Sequence, residues 1–278
     1  MLHGGGYIRL SASPKDPIAT ITHSLLAHCR RTRVRMWRGF AVEYRLSVAA
    51  PDEPQHAFPA ALLDALAGYL YLVREVGFRA EDVVVAGDSA GGNLALALVR
   101  YLVENAGWVA DGEKDEEMMP PPPGGMLLFS PWADLSGSDV FAGGSPFANY
   151  DSDYLLAHSH PSALYVRTAF LGPLLSPEGL RNRYISPACD DADEDAEEEV
   201  SFVGFPRTLV VSGGAEMFRD QIRILVRRMA RDMGVGTGEG QVTHLEQPEG
   251  THDFVGLFFH EPERTEALEA SAKWIGGL

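Results

Sequence analysis

Residues 83–96 read Val83-Val84-Val85-Ala86-Gly87-Asp88-Ser89-Ala90-Gly91-Gly92-Asn93-Leu94-Ala95-Leu96. A β-branched run enters a Gly-x-Ser-x-Gly motif, and an Ala/Leu-rich run leaves it directly. Small residues on both sides of a serine allow a sharp turn from strand to helix, so we expect Ser89 to be strained and exposed at a strand end. The following helix directs its N-terminal amides at an oxygen that becomes negative beside Ser89. The pattern predicts a nucleophile elbow.

A glycine run near the start of the chain offers donors for such an oxygen. The run His3-Gly4-Gly5-Gly6 has no side chain after the histidine, so its backbone N–H groups can approach a substrate carbonyl closely. We predict that the amides of Gly4 and Gly5, together with the amide of Ala90 after the nucleophile, form an oxyanion hole. A flexible glycine run is the alternative interpretation, and the elbow favours the functional one.

The acid of a catalytic triad is expected in a turn after a later strand. The β-branched run 208–212 predicts that strand, and the turn after it contains two carboxylates. Glu216 lies near the strand end, from which it can reach across the top of the sheet. Asp220 lies one turn further, where a carboxylate interacts favourably with the dipole of a starting helix. We favour Glu216 as the triad acid and Asp220 as a residue that positions the loop.

The general base is expected after the last strand. Residues 241–246 alternate like a half-buried strand, and His252 lies in the polar loop that follows them. A histidine there can reach Ser89, whereas His244 within the strand is interpreted as a packed residue. The order Ser89, Glu216, His252 is the nucleophile–acid–base order of α/β-hydrolases.

Further motifs complete a resemblance to a known family. The chain resembles the hormone-sensitive-lipase branch of the α/β-hydrolase family over nearly its whole length. The residues that carry the resemblance are His3-Gly4-Gly5-Gly6, Tyr44-Arg45-Leu46, Gly87-Asp88-Ser89-Ala90-Gly91-Gly92, Ser130-Pro131-Trp132-Ala133-Asp134-Leu135, Glu216 with Arg219-Asp220, and Thr251-His252-Asp253-Phe254.

The resemblance implies an α/β-hydrolase fold, in which a mostly parallel sheet is flanked by helices and carries a partial helical cap. It implies a carboxylic ester hydrolase for acetyl or short- to medium-chain esters, without a metal or an organic cofactor. It assigns Ser89 as nucleophile, His252 as base and Glu216 as acid, although many relatives carry Asp at the last position. An amidase or formamidase with the same parts is the nearest alternative. A non-catalytic binding protein similar to plant gibberellin receptors is another, but those receptors have replaced the base histidine.

The start of the chain departs from the family pattern. Relatives carry further strands and a cap segment before their His-Gly-Gly-Gly, whereas only Met1 and Leu2 precede His3 here. We therefore expect the first strands to be missing, which would leave unpaired edges between a strand at 34–46 and the strand at 83–86. An inactive, truncated fragment is a third alternative. A signal or membrane anchor would lie in the missing part, so membrane association stays open.

Composition limits the class of protein. The chain has 278 residues, 45% of them hydrophobic, which suits a single α/β-hydrolase domain over residues 1–278. A net charge of −16 argues against a nucleic-acid partner. The expected partner, a small apolar ester, is what the family resemblance implies. Cys29 and Cys189 indicate neither a disulfide framework nor a metal site. No run is apolar enough to span a membrane. The compartment is unknown, with a cytoplasmic location favoured on the sequence given.

Two insertions interrupt the alternating elements. Residues 137–187 are rich in Tyr, Phe and Leu, and we predict a cap or lid that lines the acyl or alcohol pocket, with an inserted, packed helical pair as the alternative. Residues 190–199 contain eight acidic side chains and no basic one, which is typical of a disordered surface loop. Elsewhere, apolar spacing predicts helices near 17–31 and 58–76.

Overall fold

The computed structural model describes residues 1–109, 118–190 and 200–278. Except for Asp190, the acidic loop predicted at 190–199 lies outside the described residues. Among the described residues, no helix is long and apolar enough to cross a membrane.

A parallel sheet forms the centre of the fold. Its strands are β1 (Val84–Asp88), β2 (Gly125–Phe129), β3 (Arg207–Gly213) and β4 (Val242–Gln247). They lie side by side in the order β1-β2-β3-β4, and every neighbouring pair is parallel. Because parallel strands end at the same edge, the loops that follow β1, β3 and β4 meet there. The α/β class and parallel sheet predicted from the sequence are confirmed.

Helices cover both faces of the sheet. They are α1 (Ala19–Arg31), α2 (Ala60–Leu70), α3 (Ala90–Glu104), α4 (Ser145–Ala148), α5 (Pro161–Leu171), α6 (Pro177–Leu180), α7 (Arg219–Met233) and α8 (Glu263–Ile275). The apolar side chains of α2, α3 and α7 pack with Met126 and Leu128 in one buried cluster. Those of α1 and α8 pack with Leu127 and Phe129 in the other. The alternation along β2 therefore divides its side chains between two helical layers.

The strand predicted at 34–46 does not form. Residues 36–47 belong to no helix or strand, because only Met1 and Leu2 lie between them and β1. Leu2 N donates to Ala86 O at 2.8 Å, and Val42 N donates to Met1 O at 3.2 Å. The Met1 amino group also donates to Phe40 O at 2.7 Å. Three such bonds cannot replace a continuous ladder of backbone pairs. A largely apolar cavity of about 620 Å³ instead lies between this segment and β1.

The segment 137–187 combines core packing with exposed aromatic residues. Phe170 of α5 is buried and stacks on Tyr7, with ring centroids 3.7 Å apart. In contrast, Phe147, Tyr150 and Tyr154 are more than half exposed. Part of the segment therefore belongs to the core, and its role as a cap within a single domain stays a prediction.

Asn93 joins the elbow helix to three neighbouring segments. Its side chain is fully buried on α3, where Oδ1 accepts a hydrogen bond from the Tyr7 hydroxyl at 2.7 Å. Its Nδ2 donates to the carbonyl oxygens of Trp132 and Ile185, both at 2.8 Å. One amide thus satisfies polar groups of the glycine loop, the loop after β2 and the end of the segment 137–187.

We predict that Asn93→Leu lowers the free energy of unfolding by about 2–5 kcal/mol, because it leaves three buried polar partners without a hydrogen bond. Tyr7→Phe is the matched control, since it removes one of these bonds and should cost about 1–3 kcal/mol. Urea unfolding followed by circular dichroism measures both variants. A cost for Asn93→Leu no larger than that for Tyr7→Phe would show that the amide does not join the segments.

Candidate active site

Ser89 occupies a strained turn between β1 and α3. Its backbone has φ 52° and ψ −118°, outside the regions that side chains favour. A Cβ at Gly87 would lie 2.1 Å from the carbonyl oxygen of Gly91, so the turn closes only with glycine. The strain expected from the sequence is present. The expected exposure is wrong: Ser89 is only 8% exposed, because the glycine loop, the loop after β2 and the loop after β4 surround it.

Ser89, His252 and Glu216 form a continuous hydrogen-bonded line. His252 Nε2 lies 2.9 Å from Ser89 Oγ, and His252 Nδ1 lies 3.0 Å from Glu216 Oε2. The imidazole and the carboxylate are both buried, and the ring of Phe218 packs edge-on against the imidazole at 4.9 Å. This arrangement lets the imidazole take a proton from the hydroxyl while the carboxylate fixes its tautomer.

Glu216 and Asp220, the two candidates for the acid of the triad, have different surroundings. Glu216 follows β3, and its Oε1 accepts a hydrogen bond from Gly213 N at 3.0 Å, which directs its other oxygen to His252. Asp220 Oδ2 accepts from Ser145 N at 2.7 Å, and its Oδ1 accepts from Arg219. Asp220 therefore joins the acid loop to α4, and the geometry favours Glu216 as the partner of the imidazole.

The glycine loop lies directly against the elbow, but Gly4 does not have the partner expected of it. Its N–H donates to Asp88 Oδ2 at 2.9 Å, so it is occupied and cannot donate to an oxyanion in this conformation. The predicted role of Gly4 is thus corrected to that of a loop anchor. Among the described residues, the amides of Gly5, Gly6 and Ala90 have no acceptor. They remain available to a bound oxygen.

Burial and neighbouring charges shift the pKa values of the titratable groups at the site. Burial raises the pKa of Glu216, although its hydrogen bond with His252 opposes the rise. Burial lowers the pKa of His252, but the charges of Asp253 and Glu216 outweigh it and raise this pKa to about 9. Burial and the charge of Asp253 raise the pKa of Asp88 well above its usual range. The base therefore holds its proton more tightly than an exposed histidine does.

Two carboxylates at the site have no role predicted from the sequence, although Asp253 belongs to the motif that carries the family resemblance. Asp153, before α5, accepts hydrogen bonds from His252 N at 3.2 Å and from Met217 N at 2.7 Å. It fixes the base loop to the acid loop from within the segment 137–187. Asp253 Oδ2 lies 3.2 Å from His252 Nε2. The sequence signal for Asp253 is its place beside the base, whereas Asp153 has none, because its contacts join distant parts of the chain.

His244 lies outside the site. Its Nε2 contacts Ser212 Oγ at 2.8 Å, and the residue is partly buried on β4. It is a packed strand histidine, as interpreted from the sequence. Among the described residues, no group of three or more His, Cys, Asp or Glu side chains is arranged to hold a metal ion.

Comparisons with known proteins agree with this geometry. A family model described as alpha/beta hydrolase fold matches residues 1–256. The esterase LipU of Mycobacterium tuberculosis is 27% identical over 283 residues, which cover 99% of this chain and 75% of that protein. An acetyl-hydrolase of Streptomyces hygroscopicus is 30% identical over 224 residues, covering 80% of this chain and 61% of that protein. The crystal structure of a hormone-sensitive lipase from a metagenome library superposes with a TM-score of 0.70 at 26% identity, covering 98% of this chain and 75% of that one.

We predict that Glu216→Gln lowers kcat for an activated ester by roughly 10⁴-fold, because an amide at Nδ1 disturbs the tautomer of the imidazole, as in comparable triads. Asp220→Asn is the matched control. It should leave kcat near that of the unmodified protein, since Asn keeps an oxygen to accept from Ser145 N. The release of 4-nitrophenolate measures both. The reverse ranking would exchange the roles of the two carboxylates.

Proposed function

This chain belongs to the alpha/beta hydrolase family, and we propose that it is a serine carboxylic ester hydrolase that uses Ser89, His252 and Glu216. The single observation that supports this proposal most is the line of contacts of 2.9 Å and 3.0 Å from Ser89 Oγ through the imidazole to Glu216. The names of the relatives agree with the proposed reaction, since they include esterase, carboxylesterase/phospholipase and acetyl-hydrolase.

In the proposed reaction, Ser89 Oγ attacks the ester carbonyl while its proton passes to His252 Nε2. The tetrahedral intermediate collapses when His252 returns that proton to the leaving alcohol, which leaves an acyl group on Ser89. A water molecule then gives its proton to His252 and attacks the acyl group, and Ser89 is regenerated with release of the acid. Glu216 stabilises the imidazolium at each stage without taking the proton itself.

We infer that Gly5 and Ala90, with Gly6 in place of Gly4, donate to the oxyanion. This inference is supported by the absence of any acceptor for these three amides among the described residues. One such donor contributes roughly 2.7–4 kcal/mol to transition-state stabilisation in comparable sites. Gly4 contributes indirectly, since its bond to Asp88 fixes the loop that carries the other donors.

The proposed substrates are small apolar esters with acetyl or short- to medium-chain acyl groups. Aromatic side chains surround the base, since Phe218 packs on His252 and Tyr154 lies 5.8 Å from it, ring to ring. Buried Asp253 and partly buried Asp153 lie against His252, and their carboxylates would repel an anionic substrate at short range. We propose that the segment 137–187 serves as the cap of a single domain and contributes Tyr154 to the pocket.

We predict that Ser89→Ala lowers the turnover of 4-nitrophenyl butyrate by a factor on the order of 10⁶, because no other residue replaces a triad nucleophile. Circular dichroism should show an unchanged fold. Ser212→Ala is the matched control, since it removes another serine that contacts a histidine, His244, and should keep most of the activity. Substantial turnover by Ser89→Ala would remove Ser89 from the mechanism.

A substrate panel tests the bond that is cleaved. Acyl esters of increasing chain length should be hydrolysed faster than the matched anilides, because a phenolate leaves the intermediate more readily than an anilide does. A preference for the anilides would contradict an esterase and favour an amidase of the same fold.

A further inference from the structure

Asp253 carries a buried carboxylate against the reactive nitrogen of the base. Its Oδ2 lies 3.2 Å from His252 Nε2, the atom that also contacts Ser89 Oγ. The residue has a left-handed backbone (φ 50°, ψ 31°), and its N–H donates to Ser130 Oγ at 3.1 Å. Its Oδ1 has no hydrogen-bond partner among the described residues. Asp tolerates this backbone but does not favour it, so the surrounding contacts must hold the side chain in place.

The contact between Asp253 Oδ2 and His252 Nε2 is attractive only if a proton lies between the two atoms. A neutral imidazole that donates Nδ1–H to Glu216 presents a lone pair at Nε2. An ionised Asp253 also presents only lone pairs, and two acceptors at 3.2 Å repel each other. Either the carboxyl donates to Nε2, or Nε2 carries the proton and donates to the carboxylate. In both states the lone pair of Nε2 is occupied and cannot accept the proton of Ser89.

We propose that Asp253 is a further catalytic residue, which shares a proton with His252 Nε2 and so sets the lowest pH at which the base can act. The inference rests on the proposed function and goes beyond its three-residue triad. When the shared proton leaves to solvent, Nε2 is free to accept from Ser89 Oγ. When it is present, the nucleophile cannot be activated.

Among the described residues, the charged side chains that interact with Asp253 and His252 are carboxylates, and the Tyr154 hydroxyl is a further titratable group near Asp253. Asp88 faces the shared proton from the end of β1, Asp153 from the segment before α5, and Glu216 from the turn after β3. The rings of Tyr154 and Phe218 also lie near the imidazole, with centroids 5.8 and 4.9 Å from its own. With Asp88, Glu216 and Asp253 buried and Asp153 partly buried, an added proton is strongly retained.

The direction of the pH effect follows from these charges. Burial raises the pKa of Asp253 to about 7, against the opposing charge of His252. The pKa of His252 is raised to about 9, because the charges of Asp253 and Glu216 outweigh its burial. A base with a raised pKa loses activity as the pH falls through that value. Removal of the Asp253 carboxylate should lower the pKa of His252 and so extend activity to more acidic solutions.

We predict that Asp253→Asn and Asp253→Gly both shift the acidic limb of the kcat/KM profile downward by about one pH unit or more, as expected when an anion this close is removed. Asn and Gly both accept the left-handed backbone, so the fold should be kept. Hydrolysis of 4-nitrophenyl butyrate between pH 5 and pH 10 gives the profile. Glu249→Gln is the matched control, because it removes an exposed carboxylate from the same loop and should leave the limb unchanged.

A second measurement is independent of turnover. In Ser89→Ala, the ¹⁵N shifts of the His252 ring report its titration without substrate, and adding Asp253→Asn should lower the midpoint by a similar amount. The proposal would be overturned if both Asp253 variants left the acidic limb of the kcat/KM profile unmoved and Asp253→Asn left the His252 titration midpoint unchanged. An equal shift of the limb in Glu249→Gln would also overturn it. Full activity of Ser89→Ala would instead reject the proposed function, and the ring titration would still decide the role of Asp253.

Discussion

The close approach of the glycine loop to the elbow is the constraint on which the rest of the site depends. A Cβ at Gly91 would lie 2.1 Å from Leu2 O, and a Cβ at Gly4 would lie 2.3 Å from Asp88 Oδ2 and 3.2 Å from Ser89 Cβ. Any larger residue would move the loop away from the nucleophile. In the proposed mechanism, the amides of Gly5 and Ala90, which have no acceptor among the described residues, can donate to one oxygen only while this contact holds.

The sequence predicted the elements whose signals are local. The β-branched run before Ser89, the glycines around it and the Ala/Leu-rich run after it specify strand, turn and helix without distant partners. The strand at 34–46 failed for the opposite reason. Its residues have suitable side chains, but a strand exists only when a neighbour supplies backbone donors and acceptors. Met1 and Leu2 make three bonds in all, two of them to this segment. The role of Gly4 also depended on a distant partner, the carboxylate of Asp88.

The hydrogen bonds between the segment 137–187 and the acid loop also could not be predicted from the sequence, because they join residues that are distant along the chain. Ser145 N donates to Asp220, Asn149 Nδ2 donates to the carbonyl oxygen of Glu216, and Asp153 accepts from Met217 N. Each of these polar residues reads in the sequence as an ordinary turn residue. Their function is visible only when residues more than sixty positions apart are brought together. The geometry of the acid is thus set partly by a segment with no catalytic motif.

The position of the glycine loop and the protonation of the base are linked through carboxylates. Asp88 must accept from Gly4 N to hold the loop, yet its charge faces that of Asp253, which lies against His252 Nε2. Buried carboxylates this close cannot all ionise without a large desolvation cost, so protons are retained among them. An ionised Asp88 strengthens its bond to the loop and also favours a proton between Asp253 and the imidazole. In the proposed mechanism, ionisation of Asp88 would therefore hold the glycine loop more firmly and at the same time keep a proton on His252, so the working pH must satisfy both requirements.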